Sequence, residues 1–305
     1  MFPASQTRKH TVADVINRYC REVLGPRGTD GEIRARQLEW WRGALGHYLV
    51  ADATPARIAE ARDALALLPA RGGEVRSPAT IGRYLAALSH CFTVAVKEWG
   101  WATENPLFKV TKPAEPRGRV RFLDPAERAR LLAACRASPD PHLHDLVVVA
   151  LSTGMRQSEI VTLTWADVNL ETERITLQET KNGERRVVPL VGPALDLMRR
   201  RFASRSPEAT FIFESRKHGD ARFPRKAWTD AVSAAELEDF RFHDLRHSAA
   251  SYLAMGGASI VELADILGHK TLQMVQRYAH LSEPHTRKVL ASMNAQIFSG
   301  AAAVG

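Results

Sequence analysis

A tyrosine hydroxyl is a weak nucleophile at neutral pH, because its proton stays on until about pH 10. It becomes useful where neighbouring cations favour the phenolate and also neutralise the group under attack. Tyr278, in Gln276-Arg277-Tyr278-Ala279-His280, has such neighbours available elsewhere in the chain. His243 and Arg246 stand three apart in Phe242-His243-Asp244-Leu245-Arg246-His247-Ser248, so one helical face can carry both. Arginine presents a rigid fork suited to phosphate oxygens, and histidine can donate a proton or a charge-assisted hydrogen bond. A second arginine, Arg156, follows the break Thr153-Gly154 and precedes Glu159 by one helical turn. Glu159 could orient Arg156, or could simply stabilise the positive start of a helix. His269 follows Gly268, a turn residue that can bring it close to a neighbouring element. Lys181 sits in Thr180-Lys181-Asn182-Gly183, where its long stem can reach a ligand laid across the domain. Two arginines around a phosphodiester meet the requirement that the tyrosine sets. Taken singly, each residue has an ordinary alternative: a surface His and Arg, a core tyrosine, a capping glutamate, an exposed turn lysine.

The elements that must hold these residues are mostly helices. Helical spacing of apolar residues starts at Val12, Val15, Ile16 and Tyr19 and recurs near residues 33–48, 55–67 and 78–99. Thr54-Pro55 and Ser77-Pro78 are start signals, since a hydroxyl caps the first free amides and proline suits the first turn. Ala70-Arg71-Gly72-Gly73 reads as a loop. Residues 107–120 carry prolines, a glycine and several basic side chains with little periodicity, and they read as an interdomain linker. Asp124, Pro125 and Glu127 then open a new helix. The apolar run 146–151 predicts a helix that breaks at Thr153-Gly154 and restarts with Arg156 at its head. Extended runs at 174–177 and 186–190 flank Asn182-Gly183 and predict a hairpin, with Phe211-Ile212-Phe213 as a possible third strand. Helix resumes to residue 298, and its last stretch spaces Val289, Leu290, Met293, Ile297 and Phe298 at near-helical intervals, ahead of a frayed tail at 300–305. The expected fold is mainly α with a small antiparallel β insert. Its domains are a helical unit at 8–106, a basic linker at 107–120 and a second unit at 121–298.

Composition narrows the partner. Across 305 residues, 42 Lys and Arg against 34 Asp and Glu leave a net charge of +8, with a pI near 9.7. That excess favours nucleic acid over a membrane, because no apolar run long enough to span a bilayer accompanies it. Cys20, Cys91 and Cys135 have neither disulfide nor zinc-ligand spacing, so neither a disulfide framework nor a zinc site is expected. The N-terminus lacks the apolar core of a signal peptide, and a soluble intracellular protein is expected. Arg83, Lys112, Arg117, Arg119, Arg121 and Arg222 are candidates for phosphate contacts.

Several segments, in order, resemble the tyrosine recombinases, also called phage integrases. They are T-G-x-R-x-x-E at 153–159, T-K-N-G at 180–183, H-D-L-R-H at 243–247, L-G-H at 267–269 and Q-R-Y-A-H around Tyr278. The likeness continues upstream, where SPATIGRYLAALSHCFTVAVKEWGW at 77–101 resembles the last helix of the family's core-binding domain; in all it covers about residues 10–298. The resemblance implies a SAM-like core-binding domain at 8–106 and a catalytic domain at 121–298 whose terminal helix packs on a neighbouring protomer. It assigns Arg156 and Arg246 to the non-bridging oxygens of a scissile phosphate, with His243 and His269 bonding to it, and Glu159 in support. Tyr278 would form a 3′-phosphotyrosyl link while Lys181 protonates the leaving 5′ oxygen, without metal or nucleotide cofactor. Implied partners are duplex recombination sites clamped between the domains, a homotetramer at synapsis, and an accessory DNA-bending or directionality factor. The implied setting is the cytoplasm and nucleoid of a prokaryote, or a phage. A mobile-element integrase is preferred on QRYAHLS and K-E-W-G-W-x-x-x-N-P. A Xer-type chromosome dimer resolvase, a non-catalytic DNA-binding protein of the same fold and a type IB topoisomerase are the alternatives. Because the core-binding helices begin almost at once, no additional arm-site domain is expected. His247 and His280 adjoin these motifs and receive no role.

Overall fold

The structure is a computed structural model, and it describes residues 7–25, 28–70, 73–115, 121–178, 185–214 and 220–298. The chain divides into two units, Met1–Gly118 and Arg119–Gly305, each with its own core.

Among the described residues the first unit holds four α-helices, α1 (Val12–Tyr19), α2 (Gly28–Leu45), α3 (Pro55–Leu67) and α4 (Pro78–Val94). Short polar side chains start three of them. Thr11 and Asp14 cap α1 reciprocally, and Thr54 and Ser77 each accept an amide hydrogen bond ahead of a proline in the first turn. Val12, Val15, Ile16, Tyr19, Leu38, Trp41, Ile58, Leu88 and Phe92 fill the core. The Trp41 indole donates to the Tyr84 carbonyl at 2.8 Å, which spares a buried N–H. Helix α4 runs on through a wide turn to Trp99 and stops at Gly100, whose φ of 64° suits glycine. The next segment departs from the linker expected to begin at residue 107. Pro106–Lys109 forms a 3-10 turn, and Leu107 and Val110 bury in this core. Asn105 anchors it, its amide donating to the Ser89 carbonyl at 2.8 Å and to the Thr93 hydroxyl at 2.9 Å.

The second unit begins with α5 (Pro125–Ala137), whose start is capped reciprocally by Asp124 and Glu127. Helices α6 (Leu143–Thr153), α7 (Gln157–Val161), α8 (Gly192–Ala203), α9 (Arg225–Ala234), α10 (His243–Met255), α11 (Ile260–Leu267) and α12 (Glu283–Phe298) follow. A small sheet sits between α7 and α8, ordered β1 (Val168–Asn169), β2 (Arg174–Leu177), β3 (Arg186–Pro189), antiparallel throughout. Its third strand is not the expected Phe211-Ile212-Phe213. Phe211 makes an isolated bridge to Thr164, while Ile212 and Phe213 bury in the helical core, so burial of these side chains outweighs their strand propensity. The hairpin tip at 179–184, Lys181 included, lies outside the described residues.

The central helix α10 packs along α6. Ser248 and Tyr252 on α10 tie down the chain ahead of α5. The Leu123 amide donates to the Ser248 hydroxyl at 3.0 Å, and the Tyr252 hydroxyl donates to the Leu123 carbonyl at 3.1 Å. Among the described residues, no helix is long and apolar enough to cross a membrane.

Candidate active site

Arg156 owes its place to the end of α6. Gly154 closes that helix in the left-handed region at φ 63°, and an added Cβ there would lie 2.7 Å from the Leu267 side chain. The chain then turns, and Arg156 becomes the residue ahead of α7. Glu159, one turn on, takes both roles that the sequence allowed it: it accepts the Arg156 amide at 2.8 Å and pairs with the Arg156 guanidinium at 2.7 Å. It also pairs at 3.3 Å with Arg186 of β3.

The end of α11 supplies the opposite wall. That helix stops at Gly268, with φ 63°, and an added Cβ at Gly268 would run into the Arg186 side chain. The close approach lets the Leu267 carbonyl, at the negative end of α11, accept from two guanidiniums. Arg246 donates to it at 2.6 Å, and Arg186 does so through a short hydrogen bond. The other arm of Arg246 donates to the Gly154 carbonyl at 2.7 Å, and Arg156 reaches the Gly268 carbonyl at 3.3 Å. Three arginines from three different elements therefore converge on two helix ends and one carboxylate. Arg246 is 4% exposed, Arg186 9% and Glu159 8%.

Crowding of like charges in a buried place shifts ionisation. Burial, with Arg156 and Arg186 adding to it, pulls Arg246 down to about 9. Burial also lowers Arg186, against the attraction of Glu159. His269, directly after the α11 stop, is pushed to about 4 by burial and then by Arg246, Arg156 and Arg186. Its Nδ1 is buried with no hydrogen-bond partner among the described residues. His243, the first residue of α10, is lowered by burial and next by Arg246.

Tyr278 stands on the 3-10 turn Gln276–Ser282 and is 2% exposed. It packs with Ala250, Ala254, Leu263, Leu267 and Val275, so the hydroxyl carrier is held by the helices that hold the arginines. Burial raises its pKa, while Arg277 and Arg246 oppose the rise. The hydroxyl makes a short hydrogen bond to His247 Nδ1.

Arg156, His243, Arg246, His269 and Tyr278 thus lie in one neighbourhood of the second unit, with Glu159 among them. Two residues to which the sequence reading gave no role join them. Arg186 reads as one basic residue of a strand, and nothing local marks it as buried. His247 was legible as part of H-D-L-R-H, one turn from His243, but its bond to Tyr278 depends on a segment thirty residues later. Of the candidate phosphate contacts, Arg83 and Lys112 are exposed on the first unit. Arg222 is exposed and paired with Asp220 at 3.0 Å. The Arg121 fork is committed to Glu127 at 2.5 Å and to the Phe122 carbonyl, and so anchors the start of α5. Arg117 and Arg119 lie outside the described residues.

A mainly helical domain carrying a buried cationic cluster against a tyrosine is the layout of a tyrosine-type phosphoryl transferase. Residues 121–285, over half of the chain, match the Phage integrase family. The chain is 32% identical to the shufflon-specific DNA recombinase of Escherichia coli, over 92% of this chain and 71% of that protein. It is also 32% identical to the integrase of Salmonella phage P22, over 68% of this chain and 55% of that protein, so it spans about half of that relative's length. In fold it resembles the Tn1549 transposon integrase solved with a circular intermediate DNA, at TM-score 0.71, 18% identity and coverage of 92% and 99%. A lambda integrase tetramer bound to a Holliday junction is similar at TM-score 0.68, 20% identity and coverage of 88% and 80%. The chain belongs to the phage integrase family: it is a tyrosine recombinase, an enzyme of site-specific DNA recombination.

Proposed function

We propose that this recombinase is the integrase of a mobile element, cutting and rejoining duplex DNA through a covalent bond between Tyr278 and a 3′ phosphate. The observation that carries this reading is the surplus of positive charge beside a buried tyrosine: Arg156 and Arg186 share the carboxylate of Glu159, Arg246 is held by backbone carbonyls, and close by are Tyr278 and a His269 Nδ1 with no hydrogen-bond partner among the described residues. Such a cluster stores repulsion that an entering phosphate relieves, and the relief grows as charge builds on the phosphoryl oxygens during attack.

In this scheme Arg156 and Arg246 hold the non-bridging oxygens, with His243 and His269 bonding to them. Tyr278 attacks phosphorus, and Lys181 gives its proton to the departing 5′ oxygen. The 5′ hydroxyl of a partner strand then reverses the step, so the phosphodiester energy is retained and the reaction needs no metal or nucleotide. Glu159 keeps Arg156 and Arg186 in place. The first unit, with Arg83 and Lys112, contributes duplex binding, helped by Arg222 and by the basic segment with Arg117 and Arg119. Four copies assemble at synapsis through α12, whose Val289, Leu290, Met293, Ile297 and Phe298 are all exposed. An accessory DNA-bending or directionality protein takes part, in the cytoplasm at the nucleoid.

The test is covalent trapping on a nicked suicide substrate bearing the cognate site, sought in the DNA flanking the gene, with EDTA present. A protease-sensitive adduct that disappears in Tyr278→Phe is the expected result. Tight binding without an adduct from the unaltered protein overturns the catalytic reading in favour of a binding-only protein.

A further inference from the structure

We propose that His247 is the group that takes the proton of Tyr278 as the tyrosine attacks, a role that rests on Tyr278 being the nucleophile. The geometry points there directly. Among the described residues, the Tyr278 hydroxyl bonds to Nδ1 of His247 and not to His243. His243 stands one turn away on the same helix, its ring edge-on to His247 with centroids 5.1 Å apart. A general base must lie within hydrogen-bond reach of the proton it removes, and His247 does. A buried phenol also needs a partner for its O–H, which this imidazole supplies in the resting enzyme.

The surroundings make the base respond to substrate. His247 is neutral at neutral pH, so its Nδ1 lone pair is open to accept. The groups that face it are His243, Asp244 and Arg246 on its own helix, and Arg277 and Tyr278 on the 3-10 turn packed against it. After burial, the first influence holding it neutral is His243, followed by Arg277 and Arg246, while Asp244 works the other way. A phosphate seated between Arg156 and Arg246 offsets the arginine charges and raises the proton affinity of the imidazole. The base therefore gains strength when the scissile phosphate is in place, and stays weak without it.

The step balances. The Tyr278 O–H bond breaks and an N–H bond forms on His247. The phenolic oxygen bonds to phosphorus as the bond from phosphorus to the 5′ oxygen breaks, and the 5′ oxygen takes its proton from a separate acid. On rejoining, the 5′ hydroxyl returns its proton to that separate acid as its oxygen bonds to phosphorus, and the expelled phenolate recovers its proton from His247.

Single-turnover cleavage of the suicide substrate, followed against pH, tests this with His247→Ala and His247→Asn. Asparagine keeps a polar group near the Nδ1 position but cannot accept a proton. Both variants should still bind the site, yet cleave about a hundredfold more slowly or worse. Both should also lose the rising limb of the pH profile. A substrate with sulfur at the bridging 5′ position, whose leaving group needs no proton, should not repair the defect. Cleavage by His247→Asn near the parent rate reduces the role to positioning and overturns the proposal, as does repair by the sulfur substrate. If alanine fails to fold, the asparagine variant decides alone. An adduct that forms in both variants at the parent's rate sinks the role of His247 and leaves Tyr278 standing, whereas no adduct from the parent sinks the wider reading.

Discussion

Glu159→Gln probes the cationic cluster most directly. The carboxylate pairs with Arg156 at 2.7 Å and with Arg186 at 3.3 Å, and it is nearly buried. At an effective dielectric of about 20, two charges about 4 Å apart interact by ~4 kcal/mol, so the two pairs together are worth roughly 8 kcal/mol before desolvation. Leaving the carboxylate neutral saves several kcal/mol of that desolvation, and the amide still accepts one or two hydrogen bonds, so the net loss is about 3 kcal/mol. For a unit of this size such a loss lowers the melting temperature by about 6–12 °C. Thermal unfolding in low salt, with and without sulfate, is the assay. Sulfate should raise the melting temperature of the variant more than that of the parent, because an anion binding the folded state replaces the missing charge. A variant that melts within about 2 °C of the parent, on the same scale, refutes the idea that this carboxylate holds the arginines together. A sulfate response no larger than the parent's would refute the anion site.

Gly154→Ala should destabilise by about 2–3 kcal/mol in urea unfolding, from the left-handed conformation and the collision with Leu267, and should slow cleavage because the Gly154 carbonyl holds Arg246. Ser248→Ala leaves the buried Leu123 amide without a partner and should cost about 1–3 kcal/mol, with α5 losing its tie to α10 and DNA binding by the first unit intact. Acid should weaken the fold in a defined window. His247 and His269 hold folded values of about 4 against 6.5 in the unfolded chain, so above pH 6.5 both states carry them neutral and their full contribution is present. As pH falls from 6.5 to 4 the unfolded chain takes up protons that the folded one refuses, and stability is lost. Melting temperatures measured from pH 7 to 4.5 should fall, and fall less in His269→Gln; equal slopes in the two proteins would exclude His269 as a source.

Much of the scaffold is legible because its signals are local. Asp124, Pro125 and Glu127 start α5, Thr54-Pro55 and Ser77-Pro78 start α3 and α4, and Thr153-Gly154 ends α6, since capping is decided within one helical turn. Asn182-Gly183 likewise signals that β2 and β3 pair. Spacing could not choose the third strand. Val168–Asn169 and Phe211-Ile212-Phe213 both have strand character, and the apolar triplet is worth more in the helical core than beside a short hairpin. The same limit hid the 3-10 turn at Pro106–Lys109, whose proline and lysine read as part of a connector while Leu107 and Val110 bury.

By itself the sequence determined which side chains were available for phosphoryl transfer, and which helix ends would present them. Arg156 at the head of a helix, and His243, Arg246 and His247 along another, follow from short-range pattern. Only the tertiary structure decided that the end of α11 meets Arg246 and Arg186, that Glu159 serves two arginines, and that Tyr278 rests on His247. Those contacts join residues up to 112 positions apart, as between Arg156 and the Gly268 carbonyl, and no local propensity encodes them. Ionisation follows the same division. A guanidinium or an imidazole is an ordinary cation or base in the sequence, and becomes a strained one only where packing removes water and brings like charges together.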